Sequence, residues 1–143
     1  MEKKIIINAP AREVWNALTN VQAMKKWMGD PAMELEILTT WETGSPIIIK
    51  GFHHTRFENK GTVLEYTVDQ VVSYDFLSSV SRLPDTKENH TVLRFILTPD
   101  ENSTTLALII SNFPTETIYQ HLNFYWNGTF MLLKKHVENG SHP

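Results

Sequence analysis

Ile7-Asn8-Ala9-Pro10-Ala11-Arg12-Glu13-Val14-Trp15-Asn16-Ala17-Leu18-Thr19 is the stretch on which the fold turns. It opens at the end of Glu2 to Asn8, where three successive isoleucines have the composition of a short strand. Asn8 and Pro10 stop that strand, and a helix is predicted to begin there. Asn8 or Ala9 lies near its N-cap, Pro10 fits a first turn that needs no donor, and Glu13 suits the positive end of the helix dipole. Val14, Trp15 and Leu18 then fall on one apolar stripe. The Asn8-Ala9-Pro10 turn thus has an architectural role: it ends a strand and starts a helix.

Working outward, a second short helix is predicted over 21–28, with Val21, Met24, Trp27 and Met28 at helical spacing and Gly29-Asp30-Pro31 as its stop. From Met33 to Asn112 the apolar period changes to two. Met33, Leu35, Ile37 and Trp41 share parity, and Gly44-Ser45-Pro46 turns the chain into Ile47-Ile48-Ile49-Lys50-Gly51-Phe52. Asn59-Lys60-Gly61 has turn chemistry; beyond it Leu64, Tyr66 and Val68 alternate with Glu65, Thr67 and Asp69. Tyr74 to Ser81 is another strand, and Leu83 to Asn89 is a polar loop. Leu93, Phe95 and Leu97 face Leu106, Leu108 and Ile110 across a Pro99-Asp100-Glu101-Asn102 turn. Connections this short make an antiparallel meander of about six strands. Helical period returns between Thr115-Glu116 and Asn139-Gly140, with Ile118, Leu122, Tyr125 or Trp126, Thr129, Leu133 and Val137 on one stripe. About 23 residues at about 1.5 Å each give a helix on the order of 35 Å, enough to lie across a sheet.

A chain of 143 residues suits one domain, 1–143, with room for a real core. Hydrophobic residues are 41% and charged residues 20%, values that exclude disorder. With a net charge of −3 and no long run of like charge, nucleic acid is excluded as a partner. No apolar run approaches membrane-spanning length, and Ile5-Ile6-Ile7 is too short for an export signal. Cysteine is absent, which excludes disulfides, thiolate metal sites and a cysteine nucleophile, and suits a reducing cytoplasm.

A strand, two short helices, a meander and a long last helix make an α+β helix-grip fold. In it a curved antiparallel sheet of six to seven strands wraps the C-terminal helix. The Ile7 to Thr19 stretch resembles the N-terminal signature of the START-like (SRPBCC, Bet v 1-like) superfamily. Further blocks are similar to the branch of activators of the heat-shock-protein-90 ATPase: Trp27, Trp41-Glu42-Thr43-Gly44-Ser45-Pro46-Ile47, Gly61-Thr62-Val63-Leu64-Glu65, Asp85 to Thr91, and Trp126 with Leu132-Leu133-Lys134-Lys135-His136-Val137-Glu138. The resemblance covers nearly the whole chain, but its motifs are framework motifs and specify no reaction.

What the resemblance implies for function is a hydrophobic cavity between sheet and last helix. Inward parity supplies Leu35, Ile37, Leu64, Tyr66, Phe76, Phe95 and Leu108, the helix supplies Leu122, Trp126, Phe130 and Leu133, and Trp41 stands beside them. The competing arrangement is a core filled by these same large residues. His53-His54-Thr55-Arg56 is the densest group of candidate polar contacts. Neighbours on a strand face opposite ways, so only one histidine of the pair can point inward. The same alternation keeps His53 and His54 off a single metal ion, and His121 and His136 are too far apart on one helix to chelate; no metal or cofactor is expected. Glu65, Asp69 and Arg94 have outward parity, and no nucleophile–base spacing or phosphate loop is present, so no catalytic residue is assigned.

Three functions are weighed. The first is a cytoplasmic module, monomer or dimer, that holds a small apolar or amphipathic molecule. The second is a protein-binding co-chaperone role; the eukaryotic activators carry an additional N-terminal domain that contacts the chaperone, whereas this sequence opens at the START-like strand. The third is a cyclase- or hydrolase-type enzyme using the cavity, since fold does not settle function. The residues favour the first.

Overall fold

A computed structural model describes residues 1–140. Strand β1 (Glu2–Ile7) leads into helices α1 (Ala11–Thr19) and α2 (Val21–Trp27), and then come strands β2 (Glu36–Thr39), β3 (Pro46–His53), β4 (Thr55–Thr67), β5 (Val71–Ser78), β6 (Thr91–Asp100) and β7 (Ser103–Ser111). Helix α3 (Glu116–Gly140) closes the described chain. Pro10, with ψ of 156°, is the extended residue before α1, and its carbonyl accepts from the amides of Glu13 and Val14. Asn20 caps α2 by accepting from the Ala23 amide, and Thr115 caps α3 by accepting from Ile118.

All seven strands form one antiparallel sheet in the order β1-β7-β6-β5-β4-β3-β2. Every strand from β2 to β6 pairs with its successor. Only β1 is displaced, and it lies beside β7 while α1 and α2 carry the chain to the opposite edge. This is the α+β helix-grip architecture, with one strand more than the six of the meander. Helix α3 turns Leu122, Trp126, Thr129, Phe130, Leu133 and Val137 inward, the stripe its spacing predicts with Trp126 rather than Tyr125 at its centre. It is tied to β1 by Lys3, which donates to Asn123 at 2.7 Å, and to the residue after β1 by Glu138, which accepts from the Asn8 amide at 2.8 Å.

The sheet departs from the sequence expectation in its middle. Asn59-Lys60-Gly61 is not a turn but the interior of the long strand β4; the chain reverses instead at His54, whose φ is 64°. Gly61 is there because a Cβ would collide with the backbone of Asp75 on β5. Two residues on, the β4–β5 register slips between Val63 and Glu65. This β-bulge breaks the alternation that would put Leu64 on the side of Tyr66: Val63 is fully buried, and Leu64 faces outward, 38% exposed. Leu64 is therefore not a cavity residue. Val68, expected on the same inward face, lies in the turn between β4 and β5 and is exposed.

Candidate functional site

Between the first half of α3 and the concave face of the sheet lies a cavity of about 560 Å³. Its walls come from β3 to β6 (Ile47, Ile49, Phe57, Tyr74, Phe76, Leu93), its roof from α3 (Ile118, Leu122, Tyr125, Trp126), and its end from Met28 and Met33. The mouth is polar: His53 and Thr55 at the β3–β4 reversal, Ser78 and Ser81 after β5, Asn89 before β6, and Thr117 and His121 on α3. Among the described residues no Asp, Glu, Lys or Arg lines it. A second hollow, of about 570 Å³, lies on the surface beside Lys25, Lys26, Asp30 and Glu34; its charged walls suit water rather than an apolar guest.

The candidate residues fall into three groups. Phe76, Leu122, Trp126 and His53 line the cavity. Trp41, Tyr66, Phe95 and Phe130 sit elsewhere in the interior. Phe95 and Phe130 are almost wholly buried and pack against Trp126 from either side, with ring centres 5.7 and 6.0 Å away. Trp41 donates its indole N–H to the Thr19 carbonyl at 2.7 Å, stacks on Tyr66 at 5.8 Å, and so ties the β2–β3 connection to the end of α1. Its φ of 61° is the left-handed conformation required by that tight return. His54 and Arg56 are exposed outside the cavity; His54 is the reversal residue itself, so it belongs to no strand, and His53 pairs with Thr55 across the turn beside it.

Two cavity residues were within reach of the sequence and were missed. Tyr74 has the parity of Phe76 two residues on, and His121 precedes the apolar stripe residue Leu122 by one. Tyr74 is only 4% exposed. Desolvation, helped by the nearby Tyr125, pushes its phenol well above the ordinary value, so it is a donor at any ordinary pH. Tyr125 is likewise raised by burial, and its hydroxyl donates to the Met28 carbonyl at 3.0 Å.

Beside the mouth, His90 bridges two carboxylates, with Nδ1 3.1 Å from Asp75 and Nε2 2.6 Å from Asp85. Desolvation works against its charge, but hydrogen bonds and charge from Asp85 and Asp75 outweigh it and hold the imidazole above its ordinary pKa. Asp85 is lowered by its hydrogen bond to His90. Asp75 also accepts from the Thr62 amide at 2.8 Å, and Asn112 holds the carbonyls of Glu88 and His90. The loop that supplies Asn89 to the mouth is thereby fastened to β4, β5 and β7. Among the described residues no cluster of His, Asp, Glu or Cys is arranged to hold a metal ion, and no helix is long and apolar enough to cross a membrane.

A family described as Activator of Hsp90 ATPase homolog 1-like protein matches residues 8–138. No curated protein matches the chain. Among solved structures, one from Cytophaga hutchinsonii is 31% identical, with 99% of this chain and 95% of that chain covered and a TM-score of 0.79. The Aha1 dimer from Colwellia psychrerythraea is 23% identical over 99% and 97% of the two chains, with a TM-score of 0.76. A protein of Chromobacterium violaceum is 16% identical over 96% of each chain, with a TM-score of 0.83, a likeness of fold alone.

Proposed function

The chain belongs to the Activator of Hsp90 ATPase homolog 1-like family, and from that premise we propose that it binds a small apolar or amphipathic molecule between the sheet and α3. The observation that supports this most is the cavity itself. Its volume of about 560 Å³ lies within the roughly 300–1,000 Å³ of small-molecule sites, and its walls are mostly apolar and aromatic, with Asn59, Tyr74, Thr91 and Tyr125 the polar residues among them besides those of the mouth. A core built only for stability would fill this space, since interiors pack to crystal-like density. The test is native mass spectrometry of the protein purified from its own host, together with a titration with 1-anilinonaphthalene-8-sulfonate. A co-purifying small molecule, or saturable probe binding that raises the melting temperature with concentration, supports the reading. No adduct and no saturable shift across a panel of apolar probes refutes it.

A second reading concerns a protein partner, and the partner it commits to is another copy of the chain. On the outer face of α3, Phe124 is 81% exposed, Met131 58% and Leu132 53%, an apolar row that a lone subunit leaves in water. The Colwellia psychrerythraea relative is described as a dimer. Analytical ultracentrifugation of the chain and of Phe124→Glu decides: a dimer that the substitution dissociates supports this face, and a monomer at all concentrations refutes it.

A further inference from the structure

We infer that the part of the ligand entering the cavity is uncharged and carries an acceptor oxygen, of the ketone, ester or ether class, which takes a hydrogen bond from the Tyr74 hydroxyl; this rests on the binding reading above. Three observations converge on it. Tyr74 lines the cavity while only 4% exposed, its ring fixed by Trp41 and Phe95 with centres 6.0 and 6.3 Å away. Among the described residues its hydroxyl has no hydrogen-bond partner, and burial and the neighbouring Tyr125 are all that act on its acidity. Yet no polar side-chain atom sealed inside the described chain lacks a partner, so the Tyr74 oxygen opens onto the cavity rather than onto packed atoms. A phenol held out of bulk water without an acceptor is costly, and a guest supplying one removes that cost.

The second phenol differs. Tyr125 already donates to Met28, so its proton is spent within the protein. Charge is the third consideration. With no Asp, Glu, Lys or Arg on the walls, nothing inside compensates an ionised group, and a carboxylate or ammonium entering the cavity would lose its hydration unrepaid. Among the described residues the imidazoles that line it, those of His53 and His121, lie at the exposed mouth. A charged end of an amphipathic guest therefore stays outside, and the acceptor that reaches Tyr74 is neutral.

The test uses the full chain and three probes with one bicyclic body: naphthalene, 2-acetylnaphthalene and 2-naphthoate, titrated at pH 7 by calorimetry. The acetyl compound is expected to bind about fivefold or more tighter than naphthalene, the gain of one neutral hydrogen bond, with 2-naphthoate the weakest. Tyr74→Phe should erase the acetyl advantage while leaving naphthalene affinity within about twofold, and Tyr125→Phe should leave the advantage in place. Equal affinity for naphthalene and its acetyl derivative, tightest binding of 2-naphthoate, or an acetyl advantage that survives Tyr74→Phe overturns the inference and leaves ligand binding standing. If none of the three probes binds the wild-type chain, and the anilinonaphthalene probe fails as well, the binding reading has failed and the inference falls with it. The ranking of the probes on the wild-type chain decides the matter even where Tyr74→Phe does not fold.

Discussion

Gly61→Ala should be among the most damaging single-methyl additions this chain can suffer. Built on the Gly61 backbone, a Cβ would fall on the carbonyl oxygen of Asp75, 2.5 Å from that carbonyl's carbon and 2.7 Å from the Asp75 carboxylate. Two of these three neighbours are backbone of the paired strand, so no rotamer change relieves the clash and β4 must separate from β5. Overpacking of this kind costs about 1–3 kcal/mol. The displaced Asp75 carboxylate also loses its 2.8 Å bond from the Thr62 amide, and a hydrogen bond to a charged group contributes about 1.5–3 kcal/mol. Together these come to about 2.5–6 kcal/mol. At about 2–4 °C per kcal/mol for a domain near this size, the melting temperature should fall by roughly 10 °C. Urea unfolding followed by circular dichroism measures it. A loss below about 1 kcal/mol would show that β4 and β5 do not close on one another at Gly61, and would return Asn59-Lys60-Gly61 to the turn its composition suggests.

Two further outcomes follow from the packing and the charges. Leu133 is fully buried beneath α3, so Leu133→Ala should cost about 2–5 kcal/mol in the same unfolding experiment; a loss under about half a kcal/mol would put the wrong face of α3 against the sheet. His90→Gln should change the pH dependence of stability. His90 is raised, so its contribution is full below about pH 6.5 and fades as pH rises through the higher folded value; Asp85 is lowered, so its contribution is present above about pH 4 and is lost as pH falls through the lower folded value. The difference between wild type and variant should be greatest between those limits, and parallel stability curves from pH 4 to 8 would dismiss the His90 bridge.

The parts of the fold legible in the sequence are those set by residues near one another in the chain. Helix α3 is one: its stripe from Ile118 to Val137 recurs at helical spacing, and Thr115 caps it from the adjacent turn. The β6–β7 hairpin is another, with Leu93, Phe95 and Leu97 facing Ile110, Leu108 and Leu106 in register, though β6 runs on to Asp100 and the turn narrows to Glu101 and Asn102. What the local pattern could not carry was decided by partners far along the chain. Gly61 suits a turn or a close approach equally well, and only Asp75 on the next strand makes it the second. Simple alternation puts Leu64 and Tyr66 on one face, but the bulge against β5 breaks it between them: Val63 is buried, Leu64 faces solvent, and Tyr66 packs against Trp15 and Trp41. The cavity is likewise tertiary. Tyr66 and Phe95 have inward parity, as do Tyr74 and Phe76, yet curvature of the sheet and the position of α3 place only the latter pair on open space. Periodicity tells a side chain which face it takes; whether it meets a neighbour or a void there depends on how far apart two elements come to rest, and that distance is fixed only when the whole sheet closes on its helix.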